Sequence, residues 1–194
     1  MTRDEAYSLM IEMLKSKNLQ KHGLAVEAIM RLLCGYLKQK HSDLPKEEFD
    51  EEEWAIVGLL HDADYELVEK DPTRHTLVTA ERLASHKVSD RIINGIKAHH
   101  DGIKKSRDNL MEKSVYAVDE LSGLITAVAL VRPDKKLSSV TVESVMKKFP
   151  QKSFAAGANR EQILACEKEL NIPLEEFVGI ALKAMQGISD ELGL

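Results

Sequence analysis

The sequence predicts an all-helical fold, and two observations carry that prediction. Apolar residues recur every three or four positions along most of the 194 residues, which is the spacing of one buried helix face. Only 5% of the residues are aromatic, and no segment alternates apolar and polar residues as a half-buried strand does. With no internal repeat either, we expect one helical domain over 1–194, in which 134–194 form a C-terminal helical extension packed on the rest.

Caps define the first three helices. Thr2 begins a capping box, and Asn18 is the expected cap of the second helix. The acidic residues of 50–53 suit the start of a third helix, because negative charge there opposes the helix dipole. The apolar run of this helix ends at His61-Asp62. These helices are expected over 3–15, 18–40 and 50–61.

The next two helices carry histidines near their ends. Asp71-Pro72 is typical of a cap followed by a first helical position, which places His75 in the first turn. Ser89 is the expected cap of the following helix, which finishes on His99-His100. Gly102 then suits the left-handed residue that ends many helices. These helices are expected over 72–84 and 90–100.

The later helices contain no histidine. A long apolar helix is stopped by Arg132-Pro133, since proline cannot continue a helix. Thr141 and Asn159 are suitable caps for two shorter helices, and Pro173 opens the last one. These helices are expected over 110–131, 141–149, 159–170 and 174–191.

Composition and charge limit the classes of function. Hydrophobic residues make up 43% and charged residues 30% of the chain, which is typical of a globular domain. The formal net charge of -5 argues against a surface for a nucleic-acid polymer. The longest weakly charged stretch, 114–131, still carries Asp119 and Glu120, which disfavours a membrane span. The first residues are charged rather than apolar, so we expect a cytoplasmic protein without a signal peptide; a homodimer is compatible with the sequence.

Side chains of the kind that bind metal ions fall on five separate elements. Helix ends allow several imidazoles to point at a common place, whereas histidines in the middle of exposed helices would not converge. The candidates are His22 near a helix start, His61 and Asp62 at a helix end, His75 in a first turn, His99 and His100 at another helix end, and Asp119 inside an apolar helix. The remaining histidines lie in polar segments and are expected at the surface.

Asp119 is the most informative of these residues. A carboxylate on a largely buried helix is costly unless it is paired or bound to a metal ion. Two plainer interpretations stay open: His61-Asp62 can be an ordinary helix end favoured by the dipole, and Asp119 can pair with a basic residue or face solvent. A structural bundle with scattered histidines is a third interpretation, but it explains neither Asp119 nor the consecutive pair His99-His100.

The ordered ligand set resembles the signature of the HD superfamily of metal-dependent phosphohydrolases: a histidine, a His-Asp doublet and a distant aspartate on a helical scaffold. The resemblance covers 18–131, which would then be the HD metal-binding core of the helical bundle. It implies that one metal ion is bound by His22, His61, Asp62 and Asp119.

The extra histidines are compatible with a second ion. In the HD-GYP phosphodiesterases and the bacterial diadenosine-tetraphosphate hydrolases, positions matching His75, His99 and His100 hold that ion, and the aspartate matching Asp62 bridges the two. One ion or two are compatible with this sequence, and His100 is either a ligand or a residue that orients one. Tyr65 replaces the lysine of the HD-GYP group and no Gly-Tyr-Pro motif follows, which argues against cleavage of a cyclic dinucleotide.

The expected chemistry follows from the ligand types. Imidazole and carboxylate ligands together suit iron, manganese, nickel, cobalt or zinc better than magnesium. One or two such divalent ions would lower the pKa of bound water from about 15.7 toward about 7. We therefore predict a metal-dependent phosphohydrolase that cleaves a phosphoester or phosphoanhydride of a nucleotide or similar small phosphorylated compound, with catalysis assigned to Asp62, His61 and His75. The alternative is a catalytically silent module that binds a nucleotide or a regulatory partner.

Substrate phosphate also calls for cations supplied by the protein. Each candidate, taken alone, is more typical of a solvated surface charge. The small-residue loop 153–158 is expected to close over the metal site and to offer backbone donors to phosphate. The candidate cations are Arg74, Lys104, Arg132, Lys152 and Arg160.

Overall fold

The computed structural model describes residues 1–86 and 88–194, and those ranges contain helices and loops with no β-strand. The predicted all-α fold is therefore confirmed. The helices are α1 (Arg3–Met13), α2 (Lys17–Lys40), α3 (Glu51–Leu60), α4 (Leu77–Ser85), α5 (Asp90–Ala98), α6 (Leu110–Leu130), α7 (Val142–Lys148), α8 (Arg160–Ile163), α9 (Ala165–Leu170), α10 (Leu174–Gly187) and α11 (Ser189–Leu192).

Several helices begin at the predicted caps. Thr2 and Glu5 form the capping box of α1: the Glu5 N–H donates to Thr2 Oγ1 at 3.3 Å, and the Thr2 N–H donates to Glu5 Oε2 at 2.8 Å. Asp50 accepts from two backbone N–H groups at the start of α3. Helix α2 differs, because its cap is Ser16, whose Oγ accepts a backbone hydrogen bond. The predicted cap Asn18 lies inside the helix.

The connection between α3 and α4 departs most from the prediction. Asp71 does not cap a helix: its Oδ1 accepts from the N–H and the hydroxyl of Thr73, at 2.9 and 2.8 Å, and closes a turn. Thr76 has a φ of 72°, a left-handed conformation that an α-helix does not contain. Helix α4 can begin only after this residue. His75 therefore precedes the helix rather than lying in its first turn.

Smaller departures also have local causes. Ser89 occupies the predicted N-cap position of α5, but it makes no side-chain capping bond because its hydroxyl donates to the Glu53 carboxylate. Gly102 is not left-handed; it is needed because a Cβ there would lie 2.9 Å from the carbonyl oxygen of Pro72. The helix predicted over 159–170 is divided into α8 and α9, and the last predicted helix is divided into α10 and α11.

Helices α2, α3 and α6 form the centre of the fold, and Trp54 of α3 is fully buried there. Two glycines let α2 and α3 approach closely. A Cβ on Gly23 would lie 2.9 Å from the Leu59 carbonyl oxygen, and one on Gly58 would lie 2.8 Å from the Val26 carbonyl oxygen. Both obstacles are backbone atoms, so no side-chain rotation could relieve them. The start of α2 is thereby set beside the end of α3.

The C-terminal helices pack on this centre. Helix α10 lies against α2 and α7, while α8 and α9 lie against α6. Phe177 of α10 and Ile163 of α8 are fully buried. One cluster of buried apolar residues extends from Ala6 to Leu192. Within the described ranges, no helix is long and apolar enough to cross a membrane.

We expect Gly58→Ala to lower the free energy of unfolding by about 1–3 kcal/mol, because the added methyl group meets the backbone of α2. Gly123→Ala is the matched control, since nothing lies within 4 Å of a Cβ at that position of α6. Alanine there is expected to stabilise the helix by up to about 1 kcal/mol. Urea unfolding of both variants measures the difference, and equal stabilities would contradict the close contact of α2 with α3.

Candidate metal centre

Four predicted ligands meet where α2, α3 and α6 come together. His22 Nε2 lies 3.1 Å from His61 Nε2 and 3.0 Å from Asp119 Oδ1. Asp62 Oδ2 lies 3.6 Å from His22 Nε2 and 3.7 Å from His61 Nε2. Two nitrogens and two carboxylates that are far apart in the sequence therefore converge on one point. We call these four residues the first group, and they could hold a metal ion.

A second group shares Asp62 with the first. Asp62 Oδ1 lies 3.1 Å from His75 Nε2 and 3.4 Å from His99 Nε2, and the two Nε2 atoms are 3.0 Å apart. One carboxylate thus faces both groups, with Oδ2 toward His22 and His61 and Oδ1 toward His75 and His99. The second group of Asp62, His75 and His99 could hold another ion.

Backbone carbonyls determine which imidazole nitrogen is free in two of these histidines. His61 Nδ1 lies 2.7 Å from the carbonyl oxygen of Gly58, and His99 Nδ1 lies 2.6 Å from that of Ile96. Because a carbonyl oxygen only accepts hydrogen bonds, each Nδ1 carries a proton. The Nε2 atoms that face Asp62 are then the ones available to a metal ion.

His22 is oriented by a serine of α6. Its Nδ1 lies 3.0 Å from Ser122 Oγ, while the Ser122 hydroxyl donates to the Asp119 carbonyl oxygen at 2.9 Å. Since the serine proton is used there, His22 Nδ1–H is the donor to Ser122 Oγ. This positioning role of Ser122 was not predicted from the sequence. The available signal was a hydroxyl one helical turn after Asp119, on the same face of α6.

Asp64 positions His75 and was also missed. Its Oδ1 accepts from His75 Nδ1–H at 2.8 Å and from the Thr76 N–H at 3.0 Å, and its Oδ2 accepts from the Thr79 N–H at 3.0 Å. The side chain is fully buried, so these bonds replace its hydration. They also satisfy N–H groups at the start of α4. The signal in the sequence was a second carboxylate two residues after Asp62.

The short distances between imidazole nitrogens fit bound cations. His22 faces His61 at 3.1 Å and His75 faces His99 at 3.0 Å, in each case Nε2 to Nε2. Two lone pairs at such distances repel each other unless a proton or a metal ion lies between them. Two nitrogens bound to one ion at about 2.0–2.1 Å, with an angle near 90–110°, are themselves about 3 Å apart. The donor set therefore fits divalent ions of borderline softness.

Carboxylates govern the protonation of the imidazoles. Burial opposes the charged form of His61, but Asp62 and Asp119 outweigh it and raise the pKa of His61 to about 9. Burial also opposes the charged form of His75, and Asp62 with Asp64 raises its pKa to about 9. Burial by itself would raise the pKa of Asp62 and of Asp119. The neighbouring imidazoles outweigh this effect and hold both pKa values well below the usual range. Metal ions must therefore displace protons, which makes metal affinity rise with pH.

His100 differs from the other predicted ligands. Its ring packs on that of His75 with 5.2 Å between centroids, but it offers no atom to either converging group. Its Nδ1 is buried without a hydrogen-bond partner in the described part of the chain. A Cβ at Gly102 would lie 2.5 Å from His100 Cε1, so only glycine leaves room for this ring. The structure places His100 beside the second group.

A cavity of about 540 Å³ opens onto both groups, since Asp119 of the first group and His75 and His99 of the second line it together with Asp62. Gly157 belongs to the same lining, so the loop 153–158 reaches the cavity at this residue. Closure of the loop over the metal site stays a prediction. Other residues of the cavity wall are Tyr65, Lys70, Asp101, Glu120 and Gln162.

None of the five cations predicted to bind phosphate lines this cavity in the described chain. Lys104 is held by Glu112, with 2.7 Å between Nζ and Oε2. Arg132 Nε donates to the carbonyl oxygen of Ser139 at 3.1 Å. Both side chains therefore serve local structure, and the prediction for them is corrected.

The other three residues predicted to bind phosphate, Arg160, Arg74 and Lys152, also lie outside the cavity lining. Arg160 donates to the carbonyl oxygens of Phe149, Ala155, Ala158 and Phe154, and so holds the loop over the cavity in shape. Arg74 and Lys152 are exposed and lie outside the cavity wall. Lys70, which the sequence analysis did not consider, is the basic residue that the described wall contains.

A helical scaffold that directs histidines and aspartates from several helices to one point defines a metal-binding helical domain. A family model described as the HD domain matches residues 19–128, which is more than half of the chain. The protein therefore belongs to the HD superfamily of metal-dependent phosphohydrolases, as predicted. Members of this family are generally metal-dependent hydrolases that bind divalent ions, and some are inactive. No curated protein and no solved structure matches the chain.

We expect Asp64→Asn to weaken metal binding by the second group about 10- to 100-fold, a size typical of lost partners behind a ligand. The amide keeps the volume, but one of its polar atoms becomes a donor that faces a backbone N–H. Asp43→Asn, in an exposed turn, is the matched control. Calorimetric titration with Mn²⁺ measures both affinities, and the affinity of the first group should stay unchanged. If Asp64→Asn bound metal at both groups with unchanged affinity, the role of Asp64 in positioning His75 would be excluded.

Proposed function

We propose that this protein is a metal-dependent phosphohydrolase that cleaves a phosphoester or phosphoanhydride bond in a nucleotide or a similar small phosphorylated compound. One observation carries the proposal: Asp62 offers one oxygen to each of two histidine groups, and both groups open onto one cavity. Divalent ions bound there would polarise a phosphoryl oxygen and activate water for attack on phosphorus.

The protein's own residues prepare the site for this reaction. The carbonyl oxygens of Gly58 and Ile96 hold His61 and His99 with Nε2 directed toward Asp62. His61 is completely buried, and the first group reaches the cavity through Asp62 and Asp119. Because the partners of these rings are backbone groups, the ligands need little rearrangement to accept an ion. A preorganised centre of this kind stabilises developing charge more effectively than mobile groups do.

The cavity supports a small substrate. Its volume of about 540 Å³ falls within the range of about 300–1,000 Å³ that is typical of small-molecule sites. Tyr65 and Pro72 contribute apolar surface to its wall, and Glu120 and Gln162 contribute hydrogen-bonding groups. A nucleoside combines a flat base with a sugar that bears hydroxyl groups, and it would use both kinds of surface.

The alternative is a silent module that binds a nucleotide or a regulatory partner in the same cavity. Such a protein would need no group that orients imidazoles toward a shared carboxylate. The Nδ1 partners of all four converging histidines therefore favour the enzyme. Turnover by metal-loaded protein distinguishes the two functions.

We expect protein loaded with Mn²⁺, Co²⁺ or Ni²⁺ to hydrolyse an aryl phosphate monoester or diester, and a chelator to abolish the reaction until metal is restored. Asp62→Ala is expected to lower kcat by about 10³-fold, because both groups lose their shared ligand. Circular dichroism checks that the variant remains helical. Nucleotide binding without turnover under every metal would contradict the hydrolase and support the silent module.

His22→Ala tests the first group separately. Its metal content is expected to fall by one ion per protein, and kcat by about 10²-fold or more, because an imidazole ligand is lost. His86→Ala, in an exposed turn after α4, is the matched control and should keep both its metal and its activity. Atomic spectroscopy and the aryl phosphate assay measure the two quantities. An unchanged metal content in His22→Ala would remove His22 from the ligand set.

A further inference from the structure

Lys70 is the one lysine or arginine among the described residues that line the cavity. The contact found for its ammonium group is the face of the Tyr65 ring, with 5.9 Å between Nζ and the ring centroid. By contrast, Lys104 and Arg160 are engaged by an acidic side chain and by backbone carbonyls. A cation at the cavity that meets an aromatic ring is available to an anionic ligand.

The backbone around Lys70 is unusual. Glu69 and Lys70 have φ values of 53° and 64°, so two consecutive residues other than glycine adopt the left-handed conformation. The Lys70 N–H donates to the Tyr65 carbonyl oxygen at 3.1 Å and closes this turn. Strained residues of this kind persist where the surroundings hold them, and they are frequent at ligand sites. Here the strained turn brings Lys70 to the cavity wall.

Tyr65 determines how far Lys70 lies from the metal ligands. The Tyr65 ring centroid is 5.4 Å from the His75 ring centroid and 5.9 Å from Lys70 Nζ. The ammonium group is thus set back from the second group by an aromatic ring that contacts both. An anion bound by this ammonium group would therefore lie beside the metal-binding atoms and not among them.

The other charged residues of the cavity wall also favour binding of an anion near Lys70. The other charged side chains that line the cavity outside the ligand groups are the acidic residues Asp101 and Glu120. Asp101 is already bound to Arg107 and to the Tyr116 hydroxyl. Because Arg107 compensates Asp101, a second anionic group of a substrate would be repelled mainly by Glu120, and it would be attracted by Lys70.

We propose that Lys70 forms a second-anion subsite, which binds a further phosphate group of the substrate while the scissile phosphate lies at the metal centre. This inference rests on the proposed function and narrows its substrate class. The preferred compounds carry two phosphate groups on one small scaffold, such as a nucleoside with phosphates on two sugar hydroxyls. A compound with a single phosphate would leave the subsite unused.

The test compares adenosine 3′,5′-bisphosphate with adenosine 5′-monophosphate on the metal-loaded protein. Lys70→Ala is expected to raise KM for the bisphosphate about tenfold, the typical effect of one lost charge-assisted contact. The kcat for the bisphosphate and the KM for the monophosphate should stay nearly unchanged. Lys70→Arg should retain most of the preference, because it keeps the charge. Lys46→Ala, on an exposed segment away from the cavity lining, is the matched control.

Calorimetry at low temperature provides a readout that does not need turnover. If no nucleotide is hydrolysed but Lys70→Ala still weakens only bisphosphate binding, the subsite stands and the hydrolase proposal fails. If hydrolysis occurs and Lys70→Ala affects neither compound, or weakens both equally, the subsite is excluded and the hydrolase proposal stands. Metal content measured after each titration ensures that loss of metal does not cause the difference.

Discussion

The near contact of α2 and α3 is the constraint on which the centre depends. Gly23 and Gly58 bring the backbones of these helices together, and His22 and His61 are thereby set with their Nε2 atoms 3.1 Å apart. Helix α6 packs across both helices and adds Asp119. A side chain larger than hydrogen at either glycine would separate the helices, and the imidazoles would no longer share one point.

Asp62 turns two histidine pairs into one centre. Its two oxygens face different groups, so a displacement of this carboxylate would disturb both at once. Burial of so many titratable groups is unfavourable unless positive charge compensates the carboxylates. Either metal ions or protons on the imidazoles can supply this positive charge. The binding of divalent ions is therefore expected to contribute to the stability of the fold as well as to its chemistry.

Several left-handed residues lie near the cavity, although Lys135 and Asn171 adopt the same conformation outside its lining. Left-handed residues other than glycine include Lys70 in its wall, Thr76 immediately after His75, and Ala155 in the loop that contains Gly157. Each lies where the chain leaves a regular helix to present a side chain or a backbone group to the centre. Local preference is thus overruled at several positions close to the metal centre, as is frequent at functional sites.

The sequence by itself determined the helical class, most helix starts and the types of ligand, because apolar spacing, caps and residue chemistry are local properties. It also indicated which histidines and aspartates converge, since ligand-type residues at helix ends are visible without coordinates. Only the tertiary structure decided that Asp64 and Ser122 orient imidazoles, that Arg160 serves a loop rather than a phosphate, and that Lys70 reaches the cavity. These facts depend on contacts between distant segments, and no local pattern in a single sequence encodes such distances.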